Sequence, residues 1–152
     1  MWTGKVIKSL RYIPDPILLK KTQKVKKIDL FIITLVQDMI DTLIFTKGVG
    51  LAANQIWIPL RIAVIKPFSN EKPLVLINPQ IVKKEGTRYL EEACLSIPKY
   101  SGKVKRSENI EVKALDLDWK PIKIIAKNSL ITQVLEHEID HLDGFLYIEK
   151  MK

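Results

Sequence analysis

Both histidines of the 152-residue chain fall in one five-residue stretch, His137-Glu138-Ile139-Asp140-His141, spaced i and i+4. Such spacing brings two imidazoles to one side only if the stretch is helical, so it commits the C-terminal part to an α-helix with a site on one face. Glu138 follows the first histidine directly, where a base for an ion-activated water belongs. The plainer alternative is two surface histidines on a charged helix. Against it, the pair uses up the chain's histidine content, and the helical pattern stops at Gly144. Leu130, Val134, His137 and His141 follow one another at i+4, i+3 and i+4. The histidine face therefore continues an apolar one, and an ion is expected at the edge of a hydrophobic pocket.

The spacing of apolar residues organises the rest. Asn128 is expected to cap the histidine helix, which runs to about Leu142. Pro14-Asp15-Pro16 opens a turn. A first helix of about four turns starts from Asp29 as N-cap, with Ile32, Val36, Met39, Ile40 and Leu43 inward and Thr34, Gln37, Asp38 and Asp41 on its wet side. It stops before Lys47-Gly48-Val49-Gly50, a glycine pair that gives the backbone unusual freedom. From Ile62 to about Lys127 short strands are expected: Ile62 to Ile65, Leu74 to Ile77, Ile81 to Val82, Thr87 to Leu90, Ile110 to Leu115 and Ile122 to Ile125. Asp116 to Lys120 reads as a hairpin turn. Helix, many strands, helix is the order of an α+β fold.

The length suits one domain, residues 1–152, without internal repeat or linker. The longest apolar run, Leu30 to Val36, is far below the roughly 20 residues of a spanning helix. Met1 to Leu10 lack the apolar core of a secretory leader, so a cytoplasmic location is expected. One cysteine, Cys94, excludes an internal disulfide and suits a reducing compartment. The net charge of +8 raises nucleic acid or the ribosome as partners. Yet the lysines stand in small groups (Lys20-Lys21, Lys26-Lys27, Lys83-Lys84, Lys103 and Lys105) without interleaved aromatics, and read as solvated surface with no specific nucleic acid partner.

Two histidines do not hold a catalytic ion alone; such sites take three protein ligands and keep one position open. Downstream of His141 stand only Asp143, at the helix end and pointing away, and Glu149. Upstream, Cys94 is the single soft donor, at the end of a strand in Glu91-Glu92-Ala93-Cys94-Leu95-Ser96. A thiolate with two neutral imidazoles suits Zn2+ or Fe2+.

Three blocks now stand in order: Gly48-Val49-Gly50-Leu51-Ala52-Ala53-Asn54-Gln55, Glu92-Ala93-Cys94-Leu95-Ser96 and His137-Glu138-Ile139-Asp140-His141. In sequence and spacing they resemble the three signature motifs of the peptide deformylases, and Pro14-Asp15-Pro16-Ile17-Leu18 resembles that family as well. The resemblance implies short, mostly antiparallel sheets packed around a central C-terminal helix that carries the histidines. It also implies hydrolytic removal of the formyl group from formylmethionine at the start of nascent polypeptides, with release of formate. Cys94, His137 and His141 match the family's ligands to one divalent ion, Fe2+ first, with Zn2+, Ni2+ or Co2+ as alternatives. Glu138 matches the general acid/base, and Gln55 with the backbone N–H of Leu95 matches the oxyanion donors. Glu92 and Arg106 resemble a pair that braces the cysteine loop.

The chemistry is coherent in its own terms. A water acidified on the ion attacks the formyl carbon, Glu138 carries its proton to the departing amine, and each oxyanion donor contributes on the order of 3 kcal/mol. Val49, Leu130 and Val134 are candidates for the methionine slot, and Gly48 and Gly50 for close pairing with an extended peptide. N-formylmethionyl peptides and nascent chains are the expected partners, with transient ribosome contact and no membrane.

The match departs at three places. Ala93 stands where the family usually has glycine, and a positive φ there would cost alanine about 1 kcal/mol. Ser101 replaces a basic residue that contacts peptide, and no C-terminal extension for ribosome docking is expected beyond Lys152. Two other readings are open at this stage: a metalloendopeptidase indifferent to Cys94, and a basic ribosome- or RNA-binding domain with a structural ion.

Overall fold

Asp29 starts the first helix as its side chain dictates: its carboxylate accepts the N–H of Ile32 at 3.0 Å, and helix α1 runs Leu30–Thr46. The fold is a computed structural model, which describes residues 5–151; Met1 to Gly4, at the front of the stretch read above for a leader, and Lys152 lie outside the described residues. The strands are β1 (Gly50–Ala52), β2 (Ile62–Ile65), β3 (Leu74–Glu85), β4 (Arg88–Cys94), β5 (Ile97–Arg106), β6 (Asn109–Leu115) and β7 (Pro121–Lys127). Helix α2 spans Leu130–Leu142. Short 3-10 turns occupy Pro16–Leu19, Ala53–Ile56 and Tyr147–Lys150.

All strand pairs are antiparallel, in a five-stranded sheet of order β1-β2-β3-β6-β7 and a separate hairpin β4-β5. This is the α+β architecture expected. One core joins α1 to β1 and β2 through Val36, Met39, Leu43, Leu51 and Ile62. A second seats Val134, Leu135 and Ile139 of α2 against Ile65, Leu76, Ile110 and Val112. The third holds the hairpin to the C-terminal turn through Cys94, Ile97, Val104 and Tyr147. Burial of such apolar area, at about 25 cal/mol per Å², is what fixes α2 across the sheet.

Several local expectations are corrected. Ser129, not Asn128, caps α2, accepting from the Thr132 N–H. Asn128 instead takes a left-handed φ of 42° and accepts from Arg88. Asp38 and Asp41 are buried rather than wet, because the chain before α1 crosses that flank. There the Lys8 N–H donates to Thr42 at 2.9 Å, and the Lys8 ammonium stands 3.6 Å from Asp38. The fragments Leu74 to Ile77 and Ile81 to Val82 are one strand, carried past Asn78-Pro79 by two irregularities in its register with β6. Strand β5 is absent from the sequence expectation because Pro98, Ser101, Gly102 and its basic residues give little β signal; it pairs with β4 and buries mainly Ile97, Val104 and Arg106. The Asp116 turn is as expected, its carboxylate accepting from the N–H groups of Asp118 and Lys120.

Candidate active site

Cys94 is the last residue of β4, at a shift in register that leaves only Leu95 and Ser96 to turn into β5. The hairpin carries its thiol over α2. There Cys94 Sγ lies 3.2 Å from His141 Nε2, which lies 3.2 Å from His137 Nε2. The three donor atoms fall within 4.8 Å of one another, and all three residues are buried. Donors held at about 2.0–2.3 Å by one tetrahedral ion stand roughly 3.3–3.6 Å apart, near the two 3.2 Å separations, so the donor set suits a single divalent ion.

The hydrogen bonds around the cluster orient its rings. His137 Nδ1–H donates to Glu92 at 2.6 Å, which aims Nε2 at the cluster, where a bound ion would take the place of the Nε2 proton. Burial depresses the His137 pKa, but Glu138, Cys94 and Glu92 outweigh it and hold the group well above the ordinary histidine value. Burial and the neighbouring His137 push His141 well below it, so this ring stays neutral. Glu92, although buried, is drawn down to about 2 by its bonds from Arg106 and His137. Arg106 is 1% exposed and donates twice to Glu92, at 2.9 and 2.5 Å, and to Asp140 at 2.6 Å. Burial works against its charge, but these carboxylates raise its pKa further.

Glu138 sits beside the cluster with burial lifting its pKa to about 7, and its Oε1 has no hydrogen-bond partner. A carboxyl that changes charge near neutrality, with a spare acceptor, is equipped to move a proton. Gly50 makes its place: a Cβ on Gly50 would lie 2.5 Å from Glu138 Oε2. Gly48 is likewise crowded, its absent Cβ 2.9 Å from a Leu95 methyl. Neither glycine adopts a positive φ, so the pair serves close approach rather than the backbone freedom expected from sequence.

Gln55 is held by both ends of its amide. Its Oε1 accepts from Ala52 N–H at 2.9 Å, while Nε2 donates to Ser96 Oγ at 3.1 Å and faces Cys94 Sγ at 3.7 Å. A pocket of about 480 Å³ opens on these groups. Val49, Gly50, Leu130 and Val134, the predicted substrate residues, all line it, as do Gln55, Leu95, His137 and Glu138. Gly50 also belongs to β1, which is an edge of the five-stranded sheet.

Ala93 has no positive φ and pairs with Ser101 in the hairpin, so alanine is accommodated without strain. Sequence reasoning missed Ser96, Asn54 and Asp140. Ser96 orients the Gln55 amide, Asn54 donates to the His141 carbonyl at 2.6 Å, and Asp140 holds Arg106. Each lies inside a quoted block, so position within a block was the available signal. Asp143, set aside as a ligand, pairs with Arg61 at 2.6 Å.

The polypeptide deformylase family profile matches residues 7–152. A peptide deformylase of Dehalococcoides mccartyi is 44% identical over 146 residues, 96% of this chain and 87% of that protein. One from Dictyoglomus thermophilum is 46% identical over 95% of this chain and 93% of the relative. In three dimensions the fold matches a crystal structure of a Legionella pneumophila peptide deformylase, with a TM-score of 0.93 and 39% identity over 97% of this chain and 87% of that one. With sequence, fold and a buried cysteine–histidine–histidine cluster in agreement, the chain belongs to the peptide deformylase family of metal-dependent hydrolases.

Proposed function

We propose that Cys94, His137 and His141 hold one divalent ion, Fe2+ in the native protein, with Zn2+, Ni2+ and Co2+ as substitutes, for removal of the formyl group from formylmethionyl peptides. The observation that carries the reading is the convergence of one sulfur and two nitrogens beside a buried carboxyl, Glu138. When bound, the ion supplies Lewis acidity, lowering the pKa of a water and polarising the formyl carbonyl. Glu138 takes a proton from the attacking water and returns it to the leaving amine nitrogen. The Gln55 amide and the Leu95 N–H donate to the formyl oxygen as it gains charge. Glu92 and Arg106 fix the His137 ring rather than touch substrate.

Val49, Leu130 and Val134 form the wall against the methionine side chain. The peptide pairs along β1 at Gly50, as an extended segment adds to a sheet edge. Residues 1–152 act as one catalytic domain that meets nascent chains in the cytosol, in transient contact with ribosomes. No described helix is long and apolar enough to cross a membrane. A structural ion would call for a fourth protein donor, and among the described residues the cluster has three.

The test is formate release from a formyl-Met peptide by iron-loaded protein kept free of oxygen, since an iron-bound thiolate oxidises readily. Glu138→Ala is expected to lose 10²–10⁴-fold in rate, the usual share of a general acid/base. Equal formate release by both proteins would refute the assignment.

A further inference from the structure

Lysines from three of the groups that look scattered in the sequence, Lys21, Lys83, Lys84 and Lys105, come together in the fold with Lys24 and Lys150. Two clefts, of about 560 and 330 Å³, lie behind α2 and share Lys84 in their walls. From α2 and its C-cap they take Glu136, Ile139, Asp140 and Asp143, whereas the active-site pocket takes Leu130, Gln133, Val134, His137 and Glu138. At 100° per residue the mean directions of the two sets differ by about 140° around the helix, with Asp140 and Gln133 at their shared border. The clefts therefore open away from the catalytic mouth.

Eight cationic side chains against three acids line them. The acids are answered from within: Arg61 pairs with Asp143 at 2.6 Å, and Arg106 reaches Asp140 at 2.6 Å and Glu136 at 3.9 Å. That leaves Lys21, Lys24, Lys83, Lys84, Lys105 and Lys150 as the outward charge. Lys83 also meets Glu85 at 2.9 Å, Lys84 meets Glu136 at 3.5 Å and Lys150 meets Asp140 at 2.8 Å. No acid partner stands by Lys21, Lys24 or Lys105 among the described residues, and all three are exposed. No aromatic residue lines either cleft.

We infer that this double basic cleft is a docking surface for the phosphate backbone of RNA, used with the catalytic mouth facing the other way. Concave walls bearing ammonium groups suit a protruding phosphodiester chain, whereas a flat anionic membrane engages charges that project outward. Without aromatic platforms the contact reads backbone charge and not bases, so it is independent of sequence and falls with salt. This inference rests on charge and shape and stands apart from the deformylase reading.

The test uses the metal-loaded protein and a fluorescent single-stranded RNA of mixed sequence, titrated by anisotropy at several salt concentrations. Binding should fall with salt along a log–log slope of about −2 or steeper, at about −0.7 per phosphate contacted. Lys21→Glu, Lys24→Glu and Lys105→Glu together should weaken binding at least tenfold and flatten that slope, with formate release unchanged. The same lysines changed to Gln should give a smaller loss in the same direction. A control with Lys113→Glu, Lys120→Glu and Lys123→Glu, on the β6–β7 hairpin, carries the same net charge and should bind nearly as wild type. Equal losses in cleft and control variants would reduce the effect to bulk charge and overturn the inference. Unchanged binding in the cleft variant would overturn it too, as would cleft-dependent binding to phosphatidylglycerol vesicles without binding to RNA.

Discussion

At the scale of single residues, Gly50 is where the absence of an atom matters most. The space a Cβ would fill is taken by the Glu138 carboxylate. Gly50→Ala must displace either β1 or that carboxylate, and β1 is fixed by its register with β2 through Gly50 and Ile65. The expected result is a fall of 10- to 100-fold in kcat with metal content and fold retained, a loss of proton-transfer geometry; steady-state kinetics with metal analysis checks it. The residues proposed to carry the chemistry stand out one by one because each is a rare type in a fixed block: the two histidines, the lone cysteine, and Gln55 after the glycines. What was not legible is why the glycines are there. Sequence marks a glycine but does not say whether it serves a left-handed turn or a close neighbour, and here the neighbour lies 88 positions downstream on α2.

At the scale of elements, the β4–β5 hairpin and α2 are joined by buried charge. Glu92 on β4 receives both Arg106 on β5 and His137 on α2, and Arg106 continues to Asp140. Breaking one partner of such a buried set leaves another uncompensated. The acid sensitivity follows in sign. Glu92 has its pKa lowered from 4.5 to about 2, so its contribution to stability is fully present above about pH 4.5 and lost as pH falls through about 2. A shift of that size amounts to on the order of 3 kcal/mol. Urea unfolding between pH 6 and about 2 should therefore show a decline that Glu92→Gln, already destabilised at neutral pH, shows less steeply. Parallel curves for the two proteins would mean that Glu92 is not the group responsible. The helices were legible as elements because amphipathic spacing repeats along them, and α1 begins at Asp29 as read. Strand β5 was not: with most of its residues exposed, the hairpin is selected by pairing with β4 and by burial of Cys94, Ile97 and Val104 more than by intrinsic preference.

At the scale of the molecule, the α+β class followed from the order of elements, but the sheet order did not. The five-stranded sheet passes from β3 to β6, and the intervening hairpin leaves the sheet to stand over α2. That excursion brings Cys94 to His141 across 47 positions of sequence. No periodicity encodes such a juxtaposition; only the need of a catalytic ion for a third protein donor points to it. The buried aspartates of α1 show the same limit, since their side of the helix is decided by a distant segment crossing it. The whole architecture thus serves to hold donors from two separate elements around one point. X-ray absorption on the zinc-loaded protein measures that directly. The account predicts one sulfur at about 2.3 Å and two imidazole nitrogens at about 2.0–2.1 Å, with a fourth light ligand from solvent. A spectrum without sulfur, or one with a fourth ligand from the protein, would contradict it.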